Sequence, residues 1–135
     1  QEIGIPDKAY EFKKLVNESI GIIISLAEHN GSYTSAFKNI YDWISVIEKT
    51  VWSNKPLILL STSDGQNAGK TVLQAALSRF SRQSHQEIPH FALPKFNENF
   101  SDTDGIIDKK LSEELDKQIS IFSRQVEGLL DSSHN

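Results

Sequence analysis

Two polar loops, each directly after an apolar run, hold the residues of this chain that best suit ligand binding. The first loop carries a carboxylate, an imidazole, an amide, a glycine and a hydroxyl in succession (Glu28, His29, Asn30, Gly31, Ser32). The second loop, residues 61–69, consists almost wholly of small and polar residues. Open α/β sheets bind ligands at loops that follow the carboxyl ends of parallel strands. The two loops together are therefore the candidate binding site.

The rest of the composition limits the chemistry available to this site. The chain has no cysteine, which excludes disulfides, thiolate catalysis and zinc–thiolate sites. His29 has no evident catalytic partner, and a lone histidine is more often structural or solvated than catalytic. Loop glycines commonly serve turn geometry alone. We therefore assign no catalytic side chain and no metal ligand.

Charge and hydropathy bear on the class of partner. The formal net charge is −4, with both signs mixed along the chain and no basic patch, which argues against nucleic acid and anionic membrane surfaces. No apolar run approaches the roughly 20 residues of a membrane span, and the N-terminus does not resemble a signal peptide. We expect a cytoplasmic protein.

Apolar periodicity predicts the elements that must position the two loops. The nearly all-apolar run 20–26 predicts a strand covered on both faces. The runs 57–60 and 90–93 predict two more strands. Apolar residues at three- and four-residue spacing predict four helices. We expect the first helix to have Asp7 as its N-cap, and the second to have its cap at Thr34 or Ser35 and its end near Thr50. The third helix should start after Gly69. The fourth should start near Asp108 and be followed by a frayed tail over 131–135.

The order of these elements predicts the fold class. Helices and strands alternate from the first helix to the last, and such alternation is typical of an α/β fold with a parallel sheet between helices. The length of 135 residues fits a single domain over residues 1–135.

Several short motifs give the chain a family resemblance. They are Glu28 to Ser32, Lys38-Asn39 with Asp42-Trp43, Lys55-Pro56 before a strand, the 61–69 loop, and the stretch from Leu93 to Phe100. In these pieces the chain resembles the NADPH-dependent FMN reductase family of flavodoxin-like proteins, which includes quinone, azo and chromate reductases. The resemblance extends from about Pro6 to the last helix.

The departures from the family pattern are specific. Ala27 and Asp64 stand where proline is usual, His29 where tyrosine is usual, and Ala68 where one glycine of a pair is usual. The family's first strand, phosphate-binding loop and second strand have no counterpart in these 135 residues. The resemblance thus implies a flavodoxin-like α/β/α fold truncated at its N-terminus. We expect an upstream segment to complete the sheet, and the present chain to bind FMN weakly.

The resemblance implies FMN as cofactor and NAD(P)H as co-substrate. The nicotinamide would pass hydride to FMN, and the electrons would go on to a quinone or similar small acceptor. The implied cofactor-binding residues lie on the two loops, mostly through backbone N–H groups. They are Glu28, His29, Asn30, Gly31 and Ser32 on the first loop and Ser63, Asp64, Gly65 and Gly69 on the second.

Two other functions stay open. One is a flavodoxin-like FMN electron carrier without nicotinamide turnover, and the other is a flavin-free interaction module. A carrier usually needs a strongly acidic docking rim, and a net charge of −4 is mild, which favours the enzyme. The family also implies a homodimer or homotetramer, in which Tyr41, Trp43 and Trp52 either form an aromatic contact or belong to the core.

Overall fold

The computed structural model describes residues 4–29 and 32–133. Helices join the three main strands. Two pairs of short strands form small hairpins, and one of the helices is a single turn. In chain order the elements are α1 (Asp7–Glu18), β1 (Ile22–Leu26), β2 (Glu28–His29), β3 (Ser32–Tyr33), α2 (Ser35–Ile47), β4 (Leu57–Thr62), α3 (Lys70–Ser81), β5 (His90–Leu93), α4 (Phe96–Asn99), β6 (Phe100–Ser101), β7 (Gly105–Ile106) and α5 (Lys109–Ser133).

The central sheet has three parallel strands in the order β1-β4-β5. Its register pairs Ile24 with Leu59 and Leu60 with Phe91. The predicted parallel α/β class is therefore confirmed. Parallel strands require crossover connections, and α2 and α3 supply them.

The two faces of the sheet are covered by different helices. On one face, Leu59 and its neighbours pack with α1, α2 and α3, and the core there includes Ile44, Leu73 and Phe80, all essentially inaccessible to solvent. On the other face α5 lies against β4 and β5. It also reaches the start of β1, where a Cβ on Gly21 would stand 2.9 Å from the Phe122 ring.

The prediction that the first strand is covered on both faces is wrong. The strand begins at Ile22 rather than Ile20, and although Ile24 and Leu26 are buried, Ile23 on the other face is 66% exposed. Within the described residues β1 pairs only with β4. The face that carries Ile23 and Ser25 is open because α5 is centred over the other two strands.

The predicted helix limits are partly confirmed. Thr34 caps α2, since its Oγ1 accepts a hydrogen bond from the Phe37 N–H at 3.2 Å. Pro6, not Asp7, is the N-cap of α1, because Asp7 already has helical geometry. The second helix ends at Ile47, three residues before Thr50.

The last helix differs from expectation at its end. Asp108 is its cap, with Oδ1 accepting from the Leu111 N–H at 2.9 Å, but the helix continues to Ser133 through part of the tail predicted to fray. Residues 134 and 135 lie outside the described residues. Among the residues that the structure describes, no helix is long and apolar enough to cross a membrane.

Candidate functional site

The two predicted loops leave the sheet at the same edge. Leu26, the last residue of β1, pairs with Ser61 near the end of β4, and Thr62 pairs with Leu93 at the end of β5. The carboxyl ends of all three parallel strands therefore meet, which is the position where open α/β sheets bind ligands.

The first loop folds back as a short antiparallel hairpin. Glu28 pairs with Tyr33, and the backbone of His29 pairs with that of Ser32, which is exposed. The predicted contacts of Asn30 and Gly31 fall outside the described residues. The hairpin places its ends beside α3 and beside the start of α2.

Glu28 connects this hairpin to the helix that follows the second loop. Its Oε1 accepts a hydrogen bond from the Val72 N–H at 3.3 Å. Val72 is the third residue of α3, whose N-cap is Gly69 and has no capping side chain. The first N–H groups of a helix lack intrahelical acceptors and lie at the positive end of its dipole, so a carboxylate there is stabilising. The sequence predicted a role in the site for Glu28 but not this capping role.

Left-handed backbone closes the second loop. Ala68 and Gly69 have φ of 60° and 73°, and the buried Ser61 hydroxyl donates to the Ala68 carbonyl at 2.8 Å. A Cβ on Gly69 would lie 3.1 Å from the Ser61 Cβ and 3.3 Å from the Thr62 carbonyl oxygen. Gly69 is thus explained by loop geometry, the simpler of the two roles considered for it.

The middle of the second loop is open to solvent. Asp64 and Gly65 are exposed, a Cβ on Gly65 would meet nothing within 4 Å, and the Ser63 hydroxyl donates to the Gly65 carbonyl at 3.4 Å. Among residues 4–29 and 32–133, the N–H groups of Asp64, Gly65 and Gln66 have no hydrogen-bond acceptor. Within that part of the chain they are donors without an acceptor, at the rim of the sheet.

A third loop, not predicted to carry site residues, joins the same edge. Directly after β5, the Lys95 N–H donates to the Gly65 carbonyl and the Phe96 N–H to the Ser63 carbonyl, each at 2.9 Å. Lys95 adopts a left-handed φ of 47° to make this turn. Pro94, which ends the strand, was the signal in the sequence that a turn begins here.

Clefts flank the end of β1 on both sides, and Ser25 lines both of them. One, of about 200 Å³, lies under the hairpin between Leu26, Tyr33 and Phe37. The other, of about 240 Å³, lies on the α5 face and is walled by apolar side chains. Its lining residues are Ser25, Leu60, Ser61, Thr62, Phe91, Leu93, Phe96, Phe100, Ile106 and Leu115. Apolar clefts beside a few polar donors are typical of cofactor sites.

The fold and the candidate site define an α/β protein with a rim of three loops at the carboxyl edge of a parallel sheet. Comparison with known proteins makes the assignment specific. The model of the NADPH-dependent FMN reductase family matches residues 1–98, and the chain belongs to that family.

Two individual proteins resemble the chain. A 2-hydroxy-1,4-benzoquinone reductase from Burkholderia sp. is 33% identical over 73 residues, which are 53% of this chain and 39% of the reductase. The flavoenzyme FerB, an NAD(P)H:(acceptor) oxidoreductase from Paracoccus denitrificans, superposes with a TM-score of 0.70 at 19% identity, over 91% of this chain and 69% of FerB. The second likeness shows that the fold is flavodoxin-like. The chain spans well under half the length of the curated reductase that it matches.

The family implies FMN, and the residues present fit the flavin ring. The pyrimidine edge of a flavin carries carbonyl oxygens, and adjacent free N–H groups at Asp64, Gly65 and Gln66 match that edge. The absence of a Cβ at Gly65 leaves room for close approach to the backbone. Apolar side chains such as Leu26 and Phe37 suit the faces of a flat ring.

Proposed function

We propose that this chain forms the flavin-ring side of an FMN-dependent NAD(P)H oxidoreductase that reduces a quinone or a similar small acceptor. The net reaction takes a hydride from the nicotinamide and a proton from solvent, and yields NAD(P)⁺ and the hydroquinone. Bound FMN would accept the hydride and release the two electrons to the acceptor.

The observation that carries this proposal is the joining of three loops at one rim. Glu28 ties the first loop to α3, and the backbone of Lys95 and Phe96 ties the third loop to the second. A rim fixed in this way holds its free N–H donors in place before a ligand arrives, which reduces the entropy lost on binding.

The chain's own groups have binding roles in this proposal. The N–H groups of the 61–69 loop would orient the ring edge, with Ser63 and Asp64 beside it, and Gly69 would hold the loop shape. The first loop would contact the ring through the backbone of Glu28, His29, Asn30 and Gly31, with Ser32 beside them. Tyr33 and Phe37 would exclude water from the adjacent cleft. No side chain is assigned a proton-transfer step.

Steady-state NADPH and NADH oxidation by the purified protein, with added FMN and a benzoquinone, tests the proposal. We expect turnover that depends on FMN and on the quinone. Flavin binding without nicotinamide oxidation would indicate an electron carrier instead. A protein that takes up no FMN would indicate a flavin-free module and overturn the assignment.

Titration of FMN fluorescence tests the rim itself. Gly65→Ala adds a methyl group where the ring edge should approach, so we expect the FMN dissociation constant to rise about tenfold, as for loss of one or two hydrogen bonds. The matched control is Gly128→Ala on α5, where a Cβ also meets nothing within 4 Å. Equal FMN affinities of the two variants would place the flavin elsewhere.

We also propose self-association through the outer face of α2. Tyr41 and Trp52 are core residues, only 3% and 5% exposed, so they are not available for a contact. Trp43 is partly exposed and Val46 is 67% exposed on the same helix. Sedimentation velocity of Val46→Lys should show a loss of dimer or tetramer; an unchanged sedimentation coefficient would exclude this surface.

A further inference from the structure

A second group of polar side chains lies between α2 and α3, next to the cleft under the hairpin. Tyr33, Lys38, Tyr41 and Arg79 line a crevice there together with two phenylalanines, and we call these four residues the α2–α3 crevice. Tyr33 also lines the cleft beside the end of β1, so the crevice and that cleft share a wall.

The two tyrosine hydroxyls of the crevice are buried and unused. Neither Tyr33 nor Tyr41 makes a hydrogen bond through its hydroxyl to any described residue, and Tyr41 is only 3% exposed. The rings stack in sequence through Phe37, with centroid distances of 5.3 and 6.2 Å, which fixes both phenols. A buried hydroxyl without a partner is costly, and an acceptor entering the crevice would remove that cost.

Two cations line the same crevice. The Arg79 guanidinium lies 4.5 Å from the centroid of the Tyr41 ring and, among the described residues, has no carboxylate partner. Lys38 also forms an ion pair with Asp42, whose Oδ2 lies 3.7 Å from the Lys38 Nζ. Burial raises the pKa of Tyr33 and the Arg79 charge opposes the rise, so the guanidinium is within electrostatic reach of this phenol.

We propose that the α2–α3 crevice binds a phosphate group, supplied either by the 2′-phosphate of NADPH or by free phosphate. All four side chains can donate hydrogen bonds, and two of them are cationic, which matches an anion that has only acceptor oxygens. Arginine is especially suited to bind phosphate through two parallel hydrogen bonds. In this structure the crevice has no room for even a water molecule, so Arg79, which is exposed and lies over the Tyr41 ring, must turn away to admit the group.

If the 2′-phosphate of NADPH is the ligand, which we call the NADPH form, the inference rests on the proposed function. The crevice would then be the part of the site that makes the enzyme prefer NADPH over NADH. The shared wall at Tyr33 would let one dinucleotide reach both the rim and the crevice. The free-phosphate form needs no enzymatic activity, so binding and turnover can be tested separately.

Calorimetric titration of the purified protein tests the crevice directly. The probes are 2′,5′-ADP, 5′-AMP and inorganic phosphate. We expect 2′,5′-ADP to bind more tightly than 5′-AMP, and Arg79→Gln to raise its dissociation constant about ten- to hundredfold, as for loss of a charge-assisted pair of hydrogen bonds. Tyr41→Phe, which keeps the ring, should raise it about three- to tenfold. The matched control Arg124→Gln on α5 should change it less than twofold.

The outcomes separate the two ligand sources and the two proposals. Inorganic phosphate that binds as tightly as 2′,5′-ADP, and is lost in Arg79→Gln, supports the crevice with free phosphate as ligand. Equal dissociation constants in Arg79→Gln and Arg124→Gln, or no binding of 2′,5′-ADP and of inorganic phosphate, overturn it. Should Arg79→Gln fail to fold, the exposed Lys38→Gln gives the same test. If the protein oxidises both NADPH and NADH, and Arg79→Gln leaves the ratio of their two kcat/KM values unchanged, then the crevice does not bind the 2′-phosphate of NADPH. That result would leave the proposed function intact.

Discussion

The Glu28 carboxylate accepts a hydrogen bond from the Val72 N–H, 3.3 Å away and 44 residues later in the chain. This one contact joins the first loop to the helix that follows the second loop. It brings a negative charge to an α3 N-terminus whose cap, Gly69, supplies no side chain. The relative position of the two proposed flavin loops therefore depends on a capping interaction.

Removing this cap should weaken both the helix and the rim. We expect Glu28→Ala to lower the free energy of unfolding by about 1–2 kcal/mol, the usual effect of losing a capping acceptor. Urea unfolding followed by circular dichroism measures it. The control is Glu113→Ala, an exposed residue of α5. Equal midpoints for the two variants would show that the Glu28 contact contributes nothing.

Two glycines of the second loop should respond differently to the same substitution. Gly69→Ala places a methyl group 3.1 Å from the Ser61 Cβ at a φ of 73°, so we expect a loss of about 1–3 kcal/mol from left-handed strain and overlap. Gly65→Ala enters open space and should change stability by less than about 0.5 kcal/mol. Thermal unfolding of both variants measures the difference. A Gly69→Ala protein as stable as the wild type contradicts the loop geometry.

Lys13 is a buried lysine whose ammonium group is fully used. It is 3% exposed, and its Nζ donates to the carbonyls of Thr50 and Val51 at 2.8 Å and to the Ser53 hydroxyl at 2.7 Å. Lys13→Met keeps the apolar stem but removes these three hydrogen bonds together with the 3.1 Å ion pair between Lys13 and Glu48. We expect a loss of about 2–4 kcal/mol.

The neighbouring Lys14→Met is the matched control for Lys13→Met. Lys14 is exposed and forms only a 3.8 Å surface pair with Glu18, which should be worth less than about 0.5 kcal/mol. Guanidinium unfolding curves of the two variants give the comparison. Indistinguishable curves would mean that Lys13 does not fix the turn after α2.

Tyr33 should make stability depend on alkaline pH. Burial raises the pKa of Tyr33 above its ordinary value of 10.0, although the Arg79 charge lowers it in part. Above pH 10 the unfolded chain loses this proton while the folded protein keeps it, so stability is complete below that pH and falls as the pH rises toward the folded-state pKa. Tyr33→Phe should show a shallower decline of unfolding free energy above pH 10 in urea titrations. A decline equal to that of the wild type would show that Tyr33 is not responsible.

Much of the fold was predictable because the apolar runs are local and strongly patterned. The strand at 90–93 was predicted with the observed limits, and the Thr34 cap was read from residue type. Asp7 was misplaced by one residue because Pro6, with its fixed φ, starts α1 without a side-chain bond. The end of α2 was misplaced because Lys13, 37 residues before Thr50, holds the following turn.

The site was predictable only as two loops of suitable composition. Residue types indicated donors near strand ends, but nothing local indicates that the N–H groups of Lys95 and Phe96 donate to the second loop, since the two loops follow different strands. The α2–α3 crevice was likewise invisible, because Tyr41 and Arg79 lie on different helices that meet only through packing.

The amino-acid sequence alone determined the alternation of strands and helices, the parallel α/β class and the polar character of both loops, because these follow from short-range apolar periodicity and residue type. Tertiary structure decided which loops touch, which face of β1 stays open and which charges lie beside buried hydroxyls. Those relationships join residues 28 and 72, or 41 and 79, that are distant in the chain and brought together by the packing of helices on a common sheet.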